Sequence, residues 1–112
     1  MIINGKEYPL WSQFVEKKDQ WIGGTLEDEG DFFDRRMGAE TAKTKITDVV
    51  LRPNGEDSAW FGVEGEDFSC GFDVKYGGIS SSKQKTGWMT FAGYLGHTWR
   101  IKKREGELNV RE

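Results

Sequence analysis

The stretch Asp67-Phe68-Ser69-Cys70-Gly71-Phe72-Asp73-Val74-Lys75-Tyr76 decides the fold class. Phe68, Cys70, Phe72, Val74 and Tyr76 alternate with Asp67, Ser69, Gly71, Asp73 and Lys75. Successive side chains of a strand point to opposite faces, so the pattern predicts an antiparallel strand with one face on a core and one in water.

The neighbouring segments extend the β signal in both directions. In residues 58–64, Ala59, Phe61 and Val63 share one face, and Gly65-Glu66 suits a tight turn into the next strand. Residues 45–52 (KITDVVLR) are rich in β-branched side chains, and Pro53-Asn54-Gly55 ends them. Residues 77–87 have loop composition. The strand expected at 88–95 sets Trp88, Thr90, Ala92 and Tyr94 against Met89, Phe91, Gly93 and Leu95, and 97–103 alternate again around Trp99 and Ile101.

Towards the start, 21–26 read as a strand, and Glu27-Asp28-Glu29-Gly30-Asp31 as an acidic turn. Asn4-Gly5 predicts a two-residue hairpin turn. Leu10, Trp11, Phe14 and Val15 form one helical stripe over 10–18. The expectation is an all-β or β-rich α+β fold. It would be a small antiparallel barrel or sandwich of seven or eight short strands, with one short N-terminal helix.

The 112 residues suit a single domain, with a polar tail at 104–112 expected to fray. Seven Phe, five Trp and three Tyr supply core area that a chain with 36% apolar residues otherwise lacks. No apolar stretch is long enough to span a membrane, and the first 20 residues have no signal-peptide pattern. With one cysteine there is no internal disulfide, so a cytoplasmic setting is expected.

Charge is uneven along the chain. Residues 1–74 hold 16 acidic and 8 basic side chains, net −8; residues 75–112 hold 3 and 8, net +5, giving −3 in total. That balance argues against direct nucleic-acid binding, which needs a basic footprint.

Reactive constellations are scarce. One His and one Cys, 27 positions apart, do not make the usual zinc set, and 27–31 lack the ligand spacing of an EF-hand loop. No metal site, no cofactor and no catalytic residues are therefore expected. Cys70, between Phe68 and Phe72, should be an inert buried thiol, and His97 a surface or turn histidine. Ser80-Ser81-Ser82-Lys83 and Lys85-Thr86-Gly87 match S-x-x-K and K-T-G of penicillin-binding enzymes. Here both lie in one loop of a chain too short for that fold.

Two functions fit. The first is a non-catalytic protein-binding module of adaptor or inhibitor type, with Glu27, Asp28 and Asp31 steering a basic-surfaced partner protein and Trp60 as an aromatic anchor. The alternative is an anionic, nucleotide-like ligand held by the 77–87 loop, with Tyr76, Trp88 and Tyr94 stacking and Lys83, Lys85 and Arg100 meeting its charge. Exposed strand edges leave a homodimer open.

Overall fold

The computed structural model describes residues 2–81 and 87–104; the side chains of Phe32, Ser80, Ser81 and Tyr94 stand outside that description. The opening hairpin pairs β1 (Ile2–Ile3) with β2 (Lys6–Glu7). Its turn residues Asn4 (φ 53°) and Gly5 (φ 78°) are both left-handed, as a type I′ turn requires. The Asn4 amide also donates to the Gly55 and Ser58 carbonyls, each at 3.0 Å, which docks the hairpin on a later turn.

Helix α1 (Pro9–Glu16) begins with proline, whose fixed φ and missing N–H suit a first helical position. It is shorter than the expected 10–18, and a 3-10 turn follows at Lys18–Gln20. Trp11, Ser12 and Phe14 face inward, while Leu10 is turned to solvent.

Seven further strands make one antiparallel sheet: β3 (Thr25–Gly30), β4 (Ala42–Pro53), β5 (Ala59–Gly65), β6 (Ser69–Asp73), β7 (Gly78–Ser81), β8 (Trp88–Ala92) and β9 (Thr98–Lys102). Their order is β6-β5-β4-β3-β9-β8-β7. The two end strands, β6 and β7, are consecutive in the chain and joined by a 3-10 turn at Val74–Tyr76. So short a link forces the sheet to curl until its two ends approach each other. At that seam the Phe72 ring lies against Gly93, where a Cβ would come within 2.7 Å of it. The described residues contain no β6–β7 ladder, so the result is a curled sheet and not a closed barrel.

Rings fill the inside. Trp11 of α1 meets Phe61 at 5.1 Å and Phe72 at 5.4 Å between centroids, and Phe14 meets Phe91 at 5.5 Å. Phe91 and Trp99 stack at 4.4 Å with planes 14° apart. Leu26, Ile46, Val49, Val63 and Ile101 complete the core. Each ring pair adds about 0.5–1.5 kcal/mol beyond burial, so aromatics stand in for the scarce aliphatic residues.

A bulge explains why KITDVVLR lacks a clean alternation. Thr44 and Ile46 face inward, then Val49 and Leu51 do, because the β4–β5 register shifts between Ile46 and Asp48. One extra residue flips the phase.

Several expectations need correcting. Residues 21–24 form a turn, with Gly23 left-handed (φ 94°), and the strand starts only at Thr25. The acidic run is not a turn but most of β3. Poor strand formers are tolerated there because Glu27 pairs with Lys43, Asp28 with His97 and Glu29 with Arg100. Acidic β3 lies beside basic β9, so the two charge halves interleave instead of making two faces.

A second helix, α2 (Phe32–Arg36), was not expected; five residues carry no periodicity. Its signal is a capping box: Asp31 Oδ1 accepts from the Asp34 N–H at 2.9 Å, and Asp34 Oδ2 from the Asp31 N–H at 3.0 Å. The expected loop at 77–87 begins as β7, and the strand expected at 88–95 ends at Ala92. The alternation read across 67–76 is strand only over β6 and then winds into the 3-10 turn. The tail beyond Arg104 lies outside the described residues, and no described helix is long and apolar enough to cross a membrane.

The end of β6 is anchored by Asp73, whose carboxylate accepts from the Ser58 hydroxyl at 2.5 Å, the Asn54 amide at 2.7 Å and the Lys75 N–H at 2.9 Å. Burial pulls its carboxyl up, but these hydrogen bonds and the Lys75 charge outweigh it and hold the group below the usual carboxylate range. A depressed folded pKa contributes stability above the unfolded value of about 3.9, lost as pH falls through the folded one. The advantage of wild type over Asp73→Asn in urea midpoint should therefore narrow as pH drops from about 6 to about 3. A constant gap across that range contradicts this assignment.

Candidate functional site

The curl brings together residues that a flat sheet would keep apart. Cys70 on β6 is three strand spacings from Asp28 on β3, roughly 14 Å if the sheet were flat. In the folded chain Cys70 Sγ, an Asp28 carboxylate oxygen and a His97 ring nitrogen all lie within 4.8 Å of one another.

Each of the three is positioned by its own local structure. Cys70 follows the inward phase of β6 beside Phe72 and is 3% exposed. Asp28 shares the inward face of β3 with Leu26, and its Oδ1 accepts the Gly30 N–H at 2.8 Å, where the β3–β9 register slips. His97 closes a tight turn at 93–97, in which the Gly93 N–H donates to the His97 carbonyl at 2.9 Å. Its Nε2 donates to Asp28 Oδ1 at 2.7 Å, with the His97 side chain 34% and the Asp28 side chain 26% exposed.

One guanidinium fixes both flanks. Arg35 on α2 donates through Nη1 to the Gly30 carbonyl and to the Gly96 carbonyl, each at 3.0 Å. It thus ties the end of β3 to the turn that carries His97.

The electrostatics bear on what this cluster does unaided. Burial pushes the Cys70 thiol far above its usual range, and the Asp28 charge and a hydrogen bond to that carboxylate push it further. A nucleophilic cysteine needs the opposite shift, towards the thiolate. The donor set of thiol, imidazole and carboxylate does match the side chains that hold zinc.

The residues expected to bind a partner or ligand are placed as follows. Glu27 is 2% exposed and sits 3.4 Å from Lys43 Nζ on the outer face of the sheet. Asp28 belongs to the inner cluster, and Asp31 caps α2. The Trp60 ring lies over Gly62 of its own strand and Gly71 of β6, with the Arg52 guanidinium 4.5 Å from its centroid. Tyr76 is 66% exposed on the seam turn.

Trp88 and Arg100 lie on the outer face of β8 and β9, Trp88 with Lys102 Nζ 5.8 Å from its ring centroid and Arg100 paired with Glu29. Lys83, Lys85 and the Tyr94 side chain lie outside the described residues. Sequence reasoning found Cys70 and His97 but not their meeting, and it put Asp28 in a turn.

Fold and site together define a class: a curled antiparallel sheet plugged by a helix, with an acid–thiol–imidazole cluster on its inner face. No family model, no curated protein and no solved structure matches this chain.

Proposed function

We propose that the chain is a non-catalytic protein-binding module that docks its partner through the face formed by α2 and the turn 93–97. One observation carries this reading. Phe33 is 61%, Met37 86% and Leu95 54% exposed, on two elements that Arg35 locks together. Large apolar side chains presented on a rigid scaffold lose little entropy on docking.

Leu95 adds a second support. Its φ of 58° is left-handed, where a leucine costs roughly 1–2 kcal/mol relative to glycine, yet the side chain points to solvent. Strain held at an exposed apolar residue serves contact better than it serves folding. The expected partner surface is apolar at its centre, since Glu27, Asp28 and Glu29 are engaged within the sheet. The net charge of −3 favours a basic rim around that centre.

Leu95→Asn should raise stability by about 0.5–1 kcal/mol, because asparagine tolerates this backbone region. The double variant Met37→Ser/Leu95→Asn should fold as well as wild type and lose a stoichiometric partner that wild type retains in affinity capture from the source cell. Equal capture by both proteins, or no stoichiometric partner with wild type, contradicts the reading.

A further inference from the structure

We propose that Asp28, Cys70 and His97 form a binding site for a borderline-soft divalent metal, zinc foremost, with one coordination position open towards solvent.

The distances are close to what coordination needs. A tetrahedral zinc has Zn–S near 2.3 Å and Zn–N and Zn–O near 2.0–2.2 Å, which puts its donors roughly 3.3–3.8 Å apart. The three donors here lie within 4.8 Å of one another, and the His97–Asp28 pair is at 2.7 Å. The sulfur must close by at most about 1–1.5 Å, and the acid–imidazole pair must open by roughly 0.6–1.1 Å. Side-chain rotations of that size leave the strands in place.

The donor types narrow the metal. A thiolate with an imidazole selects zinc and its softer neighbours over calcium or magnesium, which prefer all-oxygen sites. Three protein donors plus an open position is a recurrent zinc arrangement. Asp28 and His97 are each partly exposed, so the open position faces the solvent side while the Cys70 sulfur closes the inner one.

The supporting shell is already built. Gly30 N–H orients the Asp28 carboxylate, and Arg35 holds the carbonyls of Gly30 and Gly96 beside two of the three donors. Partners of this kind hold ligands in geometry and are worth about 10–100-fold in affinity at known sites. Packing alone gives no reason to set a carboxylate and an imidazole against a buried thiol, where an apolar group costs less desolvation. On coordination the Cys70 S–H bond is replaced by a sulfur–metal bond and one proton passes to solvent, while the proton that His97 Nε2 shares with Asp28 moves to Nδ1, so that the neutral imidazole presents the Nε2 lone pair to the metal.

The test uses the full chain stripped with a chelator, then titrated with Co(II) as spectroscopic probe and with Zn(II) against a chromophoric chelator. One equivalent of Co(II) should give a thiolate-to-metal charge-transfer band and tetrahedral visible bands, and Zn(II) should bleach both. Cys70→Ser should abolish the charge-transfer band. His97→Gln, at a part-exposed position that leaves the core untouched, should weaken Zn(II) on the order of a hundredfold. Absence of the band in wild type, or Zn(II) affinity unchanged in His97→Gln, overturns the proposal. If Cys70→Ser fails to fold, the wild-type band and His97→Gln still decide the matter.

Discussion

Phe61→Ala is expected to cost about 3–5 kcal/mol and to lower the unfolding temperature by roughly 15 °C or more. Phe61 is fully buried, and its ring contacts Trp11, Phe14, Phe72, Phe91 and Trp99 at centroid distances from 5.1 to 6.5 Å. It touches both rings of the plug helix and rings from both halves of the sheet, an arrangement it shares with Phe91, against which it stacks at 5.5 Å. Truncation removes the transfer free energy of a whole ring and leaves a cavity that five stiff aromatic neighbours cannot collapse into. With a total stability of about 5–15 kcal/mol for a domain of this kind, the loss is a large share. Tyr76→Ala is the control: at 66% exposed it should stay within about 0.5 kcal/mol of wild type. Comparable midpoints for the two variants in urea would contradict a core centred on Phe61.

Gly24→Val is expected to cost about 3 kcal/mol or more. A Cβ at Gly24 would run into the Lys102 carbonyl oxygen and come within 2.9 Å of the Arg104 backbone nitrogen. Both obstacles are main chain, so no rotamer change relieves them. The Gly24 carbonyl also accepts the Ile46 N–H at 2.9 Å, so the segment cannot swing away without breaking the link to β4. Where β3 begins, the chain runs backbone to backbone beside the end of β9, and only glycine fits. A midpoint unchanged from wild type would contradict so close an approach of the two backbones.

Much of the fold was legible in local patterns. The two-residue rhythm of 67–76 located β6 and turned Cys70 and Phe72 inward; the same rhythm in 58–64 put Phe61 in the core. Asn4-Gly5 gave its hairpin because both residues accept a left-handed backbone. What failed was non-local. An acidic segment becomes a strand only because Lys43, His97 and Arg100 are there to pair with it, and those lie 16 to 71 residues away. The β4 bulge hides behind a run of branched residues that fits either phase.

The candidate site was illegible for the same reason. Cys70, Asp28 and His97 sit on three elements whose spacing in sequence says nothing of their spacing in space. They meet because the short link from β6 to β7 forces the sheet round on itself. Trp60 shows the converse case. Its position out of phase with the core was legible, but Gly62, two residues along the same strand, and Gly71, paired with Gly62 on β6, supply a bed for the ring, so facing outward is not the same as standing free.

The account depends on the curl of the sheet, and through-space NMR contacts across the seam test it most directly. Cross-peaks are expected between the Cys70 β-protons and the His97 imidazole, and between the Phe72 ring and the Gly93 α-protons. Their absence, with the β3–β9 ladder contacts still present, would mean an opened sheet in which the thiol, the acid and the imidazole never meet.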